Sequence, residues 1–162
     1  MPHIITLNEA SPEIQYLCNK DKRLAKVISM VEPISYETHS EYPYPFLVHE
    51  IIEQMLSIKA GAKIYGRLEE LCEGNITPEN VIVLSDEKLK SIGTSDAKVS
   101  YIKGLTAAIL SGKINLEKLE HLDDNAVTKE LTQLKGIGNW TAKMFLIFVL
   151  NRQDVLPFED EN

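Results

Sequence analysis

The amino-acid sequence predicts an all-α fold of about nine or ten short helices. Capping residues precede helix-forming segments along the chain, as at Ser11-Pro12, Thr77-Pro78 and Ser85-Asp86. Apolar side chains recur with a helical period, for example across residues 99–109. Alternating strands joined by a hairpin turn are not evident. Residues 3–7 could form a short extended piece, but the sequence shows no partner for it.

Capping residues and proline also predict where individual helices begin and end. Pro45 is expected to start a helix whose apolar stripe includes Met55, and Ser57 to cap the next helix, which runs to about Cys72. Helices are further expected over residues 21–31 and 116–122 and from a cap at Asp124 to about residue 134. The last helix is expected over residues 139–150.

Length and composition indicate a single globular domain spanning residues 1–162. The chain is 44% hydrophobic and 25% charged, which is ordinary for a soluble protein. Its apolar runs are far shorter than the roughly 20 residues that a membrane helix needs. A basic leader followed by an apolar stretch is absent at the start, so a cytoplasmic location and no membrane association are expected.

Metal-ligating residues are few and scattered. Cys18 and Cys72 are far apart in sequence and cannot by themselves form a four-cysteine site. The four histidines do not pair at helical spacing. The sequence therefore predicts no metal site and two plain thiols.

The net charge of −7 argues at first against a nucleic-acid partner. Its distribution weakens that objection, because residues 131–153 contain Lys135, Lys143 and Arg152 but no acidic side chain. A polyanion is therefore expected to meet this segment.

The Gly136-Ile137-Gly138 turn lies in the same segment. Two glycines permit positive φ angles, so Ile137 can insert between the flanking helices while the turn amides point outward. The helix that begins immediately afterwards adds its free N–H groups and its dipole, which together suit a phosphodiester. The alternative is an ordinary turn after a helix-ending glycine, and Gly-x-Gly alone is weak evidence against it.

Residues 131–160 closely resemble the helix-hairpin-helix base-excision DNA glycosylases, in particular the DNA-3-methyladenine glycosylase II type. The matching motifs are Leu-Lys-Gly-Ile-Gly-Asn-Trp-Thr-Ala at 134–142 and Asp-Val-Leu-Pro-Phe-Glu-Asp at 154–160. Weaker matches at 51–60 and 84–89 extend the resemblance to roughly residues 22–160. It implies the helix-hairpin-helix DNA glycosylase fold.

The resemblance implies that Asp160, at the Pro-x-x-Asp position, is the catalytic residue. Cleavage of an N-glycosidic bond builds oxocarbenium-like charge on the sugar, which a carboxylate can stabilise while it orients water. The alternative is that Asp160 caps a following helix. Glu159 and Glu161 are neighbouring carboxylates that any mutagenesis must separate from it.

The resemblance also implies a base-binding pocket formed by Trp140, Met144 and Gln54. An aromatic face suits a flipped base, although core packing is the more usual role of a helical tryptophan. The family often has an aromatic residue where this chain has Met144, which leaves the substrate range open. Related glycosylase/lyases carry a Schiff-base lysine at the position of Trp140, so the resemblance implies monofunctional hydrolysis.

Two further groups of residues complete the predicted site. The contacts to the DNA backbone are expected from Gly136, Ile137, Gly138, Thr141, Lys135, Ser95 and Lys98. Lys143 counts as a phosphate neighbour or a solvated charge. Tyr42, Tyr44 and Phe46 either form a hydrophobic staple or line the pocket and wedge into the duplex.

The resemblance further implies that the fold is truncated at its C terminus. Family members continue beyond the catalytic aspartate with helices that pack on the N-terminal ones. Residues 1–45 are therefore expected to lack packing partners beside a helical core at 46–160. A second copy of the chain could cover the exposed surface.

The predicted function is a DNA repair glycosylase that flips and hydrolyses alkylated purines of the 3-methyladenine type in double-stranded DNA. The alternatives are a non-catalytic helix-hairpin-helix DNA-binding module, an inactive fragment, or a protein-interaction domain. No cofactor is expected, apart from a monovalent cation that could bridge hairpin carbonyls and phosphate. A nucleoid-associated cytoplasmic location follows from the DNA substrate.

Overall fold

A computed structural model describes residues 3–158 and divides the chain into two compact units, with the boundary between His39 and Ser40. The first unit contains, in chain order, β1 (His3–Leu7), α1 (Pro12–Lys20), α2 (Lys22–Ile28) and β2 (Ile34–Thr38). Strands β1 and β2 pair antiparallel, with His3 opposite Thr38 and Leu7 opposite Ile34. This pairing supplies the partner that the sequence did not reveal. The prediction of one domain over residues 1–162 stays a prediction.

The second unit is entirely helical within the described residues. Its helices are α3 (Pro43–Glu53), α4 (Ile58–Leu71), α5 (Pro78–Ile82), α6 (Asp86–Ser91), α7 (Asp96–Leu110), α8 (Leu116–Leu119), α9 (Asp124–Thr132) and α10 (Asn139–Phe148). Ten helices in the described chain agree with the predicted helical fold, which is confirmed.

Local capping explains most helix starts in the second unit. Ser57 and Ser85 accept hydrogen bonds from amides in the first turns of α4 and α6, as the sequence predicts. Two expected starts were wrong. α3 begins at Pro43, one proline earlier than expected, and the cap of α9 is Asp123, whose carboxylate accepts from the Ala126 amide at 2.8 Å.

The hydrophobic core of the second unit joins α3, α7 and α10. Phe145 of α10 is fully buried, and its ring lies 6.3 Å from that of Phe46 in an edge-to-face arrangement. Leu47 and Ile51 of α3 and Ile102 of α7 are also fully buried. The last helix before the C-terminal segment is therefore anchored to the centre of the unit by buried side chains.

The two helices of the first unit lack any buried residue. Exposed large apolar side chains of this unit include Ile4, Tyr16, Leu17, Leu24, Val27, Met30, Val31 and Ile34. Within residues 3–158, none of the helices combines the length and apolar character needed to cross a membrane.

Candidate nucleic-acid interface

The turn between α9 and α10 is a tight hairpin around a buried isoleucine. Gly136 has a φ of +91°, which side-chain-bearing residues rarely adopt. Ile137 follows with only 4% of its surface exposed, and its amide donates to the Leu134 carbonyl at 3.1 Å. The predicted insertion of Ile137 into the core is therefore present, but its amide is bonded within the turn and is not free for a ligand as expected.

Gly138 forms the N-cap of α10 in an extended conformation, with φ −94° and ψ −178°. Of the two glycines that permit positive φ, only Gly136 adopts it. Gly138 has no side chain with which to cap the first turn of α10. The N-terminal amides and the positive end of the helix dipole therefore stay available to an anion.

Tyr101 of α7 closes the other side of the hairpin. A Cβ added at Gly136 would lie less than 3.0 Å from Cβ, Cγ and Cδ2 of Tyr101. The hairpin backbone thus approaches α7 so closely that residue 136 must be glycine for reasons of space as well as conformation.

Gln54 holds the hairpin from the end of α3. Its Nε2 donates to the Gly136 carbonyl at 2.8 Å, a contact between residues 82 positions apart. The sequence suggested Gln54 as a pocket residue but did not indicate this bond. The structure therefore places the side-chain amide of Gln54 against the hairpin turn, and direct contact with a base stays a prediction.

Ser95 and Lys98, predicted near a second phosphate, both form contacts inside the fold. The Ser95 hydroxyl accepts from the Lys98 amide at 3.3 Å and caps α7. The Lys98 ammonium donates to the carbonyls of Ile52 at 2.7 Å and Gln54 at 2.6 Å. Burial lowers the pKa of Lys98. Two of its three donors are thus occupied, and contact with a phosphate stays a prediction.

Trp140 lies in the first turn of α10, and Met144 lies one turn later. Met144 packs against the core. Trp140 is half-buried, and within residues 3–158 it is not among the side chains that form the core or pack against it. This placement favours a surface aromatic beside the hairpin over the core-packing alternative.

The remaining residues predicted to contact the DNA backbone, Lys135 and Thr141, differ in their exposure to solvent. Lys135 is exposed, as a phosphate contact requires. Thr141 is only 2% exposed, so little of its surface can reach a ligand, and its contact with the DNA backbone stays a prediction.

The sequence left two interpretations for Tyr42, Tyr44 and Phe46, which it placed before a helix, whereas the structure places Tyr44 and Phe46 within α3. Tyr44 and Phe46 are buried, and the Tyr44 hydroxyl lies 2.8 Å from the Thr106 hydroxyl. Burial of these two side chains contradicts insertion into the duplex, and a place in the pocket lining stays a prediction. Tyr42 is 47% exposed and forms the N-cap position of α3.

Met55 is a feature that sequence reasoning placed incorrectly. Its spacing put it on the apolar stripe of a helix, yet α3 ends at Glu53 and Met55 has a φ of +57°. Its side chain is 90% exposed. An apolar side chain held in a strained turn next to Gln54, and thus near the hairpin, is a candidate to contact DNA bases. The apolar periodicity that predicted the stripe offered no signal of this exposure.

The segment leading to the predicted catalytic aspartate runs beside α10. The Lys143 ammonium lies 3.4 Å from the Leu156 carbonyl and 6.0 Å from the centre of the Phe158 ring. Asp160 itself lies outside the described residues. Arg152 contacts Asp124 at 2.7 Å, so one cation of the predicted basic segment is paired internally.

No cluster of three or more histidine, cysteine or acidic side chains in the described part of the chain could hold a metal ion. Cys18 is half-buried and Cys72 is buried, and both are free thiols.

Residues 48–162 match the family model described as the HhH-GPD superfamily base excision DNA repair protein. The chain therefore belongs to this superfamily of helix-hairpin-helix base excision DNA repair proteins, which confirms the resemblance seen in the sequence. It is 32% identical to DNA-3-methyladenine glycosylase 1 of Schizosaccharomyces pombe over 160 residues, covering 97% of this chain and 70% of that relative.

Two solved structures are also similar. The crystal structure of a DNA-3-methyladenine glycosidase from Bacillus halodurans has a TM-score of 0.86 and 38% identity, and the match covers 97% of this chain and 72% of that one. The 3-methyladenine DNA glycosylase of Schizosaccharomyces pombe, in complex with abasic DNA, has a TM-score of 0.69 and 37% identity. That match covers 74% of this chain and 59% of that one.

Proposed function

We propose that this protein is a monofunctional DNA glycosylase that hydrolyses the N-glycosidic bond of alkylated purines of the 3-methyladenine type. The observation that carries this proposal is the uncapped N terminus of α10 at the hairpin, with the half-buried Trp140 in the same first turn. Relatives of this chain bear the name DNA-3-methyladenine glycosylase, and one of them has been solved with abasic DNA. These relatives support the substrate class.

The hairpin binds the phosphodiester backbone in this proposal. Gly136 and Gly138 allow the DNA backbone to approach closely, and the first-turn amides of α10 donate to a phosphate oxygen. Lys135 adds a positive charge from the exposed surface. Because amides and a helix dipole supply most of the attraction, binding does not require a basic protein, which fits the net charge of −7.

The damaged base leaves the duplex next to this contact. Met55 enters the base stack, as apolar wedges do in proteins that unstack DNA. Trp140 then stacks on the extruded base, with Met144 packed one turn behind it. A purine methylated at N3 carries positive charge, so the tryptophan face also attracts it by a cation–π interaction.

Asp160 is the catalytic carboxylate in this proposal. The bond between C1′ and the base nitrogen breaks, and its electron pair neutralises the cationic base, which leaves without needing a proton from an acid. The carboxylate stabilises the oxocarbenium-like sugar and accepts a proton from the water that attacks C1′. The contacts of Lys143 with Leu156 and Phe158 support the proposal, because they hold the preceding segment beside α10.

A purely hydrolytic reaction follows from the position of Trp140. A lyase needs a free amine at the sugar, and the helix presents an indole where related lyases present a lysine. Lys143, one turn away, is engaged by the Leu156 carbonyl and the Phe158 ring. We therefore expect borohydride treatment during the reaction to trap no covalent protein–DNA adduct.

The second candidate is a DNA-binding module without catalysis, or an inactive fragment. It is favoured by one observation: the hairpin and the start of α10 are complete within the described residues and do not depend on Asp160. Such a module would bind DNA but release no base.

One experiment separates these candidates. The chain is incubated with methylated duplex DNA, and free base, abasic sites and complex formation are measured together at low salt. Release of 3-methyladenine supports the glycosylase, and binding without release supports the module. Absence of DNA binding would contradict both and leave a protein-interaction domain.

Three further proposals concern a bound cation, the cellular location and self-association of the chain. A monovalent cation could sit between hairpin carbonyls and phosphate, since Leu134 and Gly136 oxygens each accept one hydrogen bond and keep a lone pair. Replacing sodium by a bulky organic cation should then weaken DNA binding.

A location in the cytoplasm at the nucleoid is consistent with a DNA substrate and is testable by imaging a tagged chain.

A homodimer through the first unit is supported by its exposed apolar side chains, among them Tyr16, Val27 and Met30. Light scattering across a concentration series tests this proposal. A mass that stays at 18.3 kDa would contradict it.

A further inference from the structure

Three segments far apart in sequence meet beside the hairpin through one residue, Gln54. The Gln54 carbonyl accepts from the Lys98 ammonium at 2.6 Å, and the Gln54 side chain donates to the Gly136 carbonyl at 2.8 Å. Lys98 also donates to Ile52 at 2.7 Å. The end of α3 is thus tied to the first turn of α7 on one side and to the phosphate-binding turn on the other.

The backbone between these contacts is irregular. α3 ends at Glu53, Gln54 has a φ of −46° and a ψ of 128°, and Met55 has a φ of +57°. Left-handed backbone is unfavourable for a residue with a Cβ, so the surrounding structure must hold it. The carbonyls at the end of a helix also lack partners within the helix. Lys98 supplies donors to two of them directly before the bend.

We propose that Lys98 is a positioning residue: its ammonium fixes the bend that projects Met55 and, through Gln54, sets the place of Met55 relative to the hairpin. This inference rests on the proposed function, in which Met55 enters the duplex while the hairpin holds a phosphate. A wedge works only at a fixed distance from the backbone contact, because both act on one deformed stretch of DNA.

The environment of Lys98 agrees with this role. The side chain is half-buried, and burial lowers its pKa from the usual 10.5, as expected for an ammonium that is partly removed from water while it binds these carbonyls. Charge-assisted hydrogen bonds in such surroundings are stronger than neutral ones at the surface. The bend is consequently held by the strongest type of polar contact that a lysine can make with a carbonyl.

Lys103 offers a matched control on the same helix. Its ammonium also donates to carbonyls at the end of a helix, those of Val81 and Ile82 in the last turn of α5 and of Leu84 just after it. None of these carbonyls belongs to the hairpin or to the Met55 bend. Loss of Lys103 therefore reports what a missing lysine–carbonyl contact does to the fold alone.

The test measures disturbance of base stacking in duplex DNA that contains a tetrahydrofuran abasic-site analogue next to 2-aminopurine. Fluorescence is recorded with saturating wild-type chain, Lys98→Met, Lys98→Arg and Lys103→Met, and urea unfolding confirms that each variant is folded. We expect wild type, Lys98→Arg and Lys103→Met to raise the fluorescence. Lys98→Met should lose most of the increase, about tenfold if one charged hydrogen bond sets the population of the bend.

The other outcomes would contradict either the role of Lys98 or the proposed function. An unchanged increase with Lys98→Met would overturn the inference, and so would an equal loss with Lys103→Met or with Lys98→Arg. If wild type binds the DNA but raises no fluorescence, duplex opening by Met55 is itself wrong, and the failure then lies in the proposed function. Base release is not needed for any of these readings.

Discussion

Replacement of Gly136 by alanine should destabilise the second unit strongly, for two reasons that add. A positive φ of +91° costs a residue with a Cβ roughly 1–2 kcal/mol. The new Cβ would also come within 3.0 Å of three atoms near the base of the Tyr101 side chain, where no flexible end can move aside. Overpacking of this kind costs roughly 1–3 kcal/mol. We therefore expect Gly136→Ala to lose about 2–5 kcal/mol of unfolding free energy.

Urea unfolding followed by circular dichroism measures this loss, and Gly104→Ala is the matched control. Gly104 lies in the middle of α7, is exposed, and would place a Cβ with no atom within 4 Å. Alanine there should raise stability by about 0.5–1 kcal/mol. A double mutant with Tyr101→Ala should recover the part of the steric loss that comes from Cγ and Cδ2, and should leave the conformational part and the contact with the Cβ of residue 101. Wild-type stability for Gly136→Ala would refute the described hairpin geometry.

Three other variants test, in turn, a contact with the hairpin, the packing of the core and the pKa of His49. Gln54→Glu places a carboxylate against the Gly136 carbonyl; we expect a loss of about 1–3 kcal/mol in urea and weaker binding of abasic DNA, whereas unchanged values would contradict the contact. Phe145→Ala empties a fully buried site, so a calorimetric loss below about 3 kcal/mol would be inconsistent with its packing. The carboxylates of Glu50 and Glu53, 4.0 and 3.4 Å from the imidazole of His49, raise the pKa of His49 above 6.5, although burial opposes them. His49 therefore contributes stability that is fully present below pH 6.5 and is lost as pH rises through the raised pKa. NMR titration of wild type and Glu50→Gln should show a lower pKa of His49 in the variant.

The short-range features of the fold were predictable because their physical causes lie within a few residues. Ser57, Thr77, Ser85 and Asn115 each accept a hydrogen bond from an amide three residues later, and each starts a helix as expected. The expected length of the helix after Asn115 was less accurate, since α8 ends at Leu119. Helix ends depend on tertiary contacts that a local pattern does not contain.

Features set by distant residues could not be predicted. The partner of β1 lies at Ile34–Thr38, across two intervening helices. Met55 follows the apolar period of α3 and looked like a core residue. It is exposed because the chain turns away from helical geometry at Gln54, whose carbonyl binds Lys98, 44 positions later in the sequence.

The contacts of the basic side chains in the candidate site could not be predicted from the sequence either. The sequence assigned Lys98 to a phosphate and counted Arg152 in a basic segment. Both donate to backbone carbonyls inside the fold, and Arg152 also pairs with Asp124. A charge count treats every cation as available, whereas helix ends with unpaired carbonyls compete for them. The proposed phosphate contact therefore rests on the amides at the start of α10 and not on the number of lysines.

The most direct test of the proposed glycosylase is the single-turnover rate of 3-methyladenine release from methylated duplex DNA by wild type, Asp160→Asn and Glu161→Gln. We expect measurable release by wild type, a similar rate for Glu161→Gln, and a rate for Asp160→Asn lower by about 10²-fold or more, as loss of a group acting on the transition state implies. Equal rates for wild type and Asp160→Asn would contradict the assignment of Asp160 as the catalytic carboxylate.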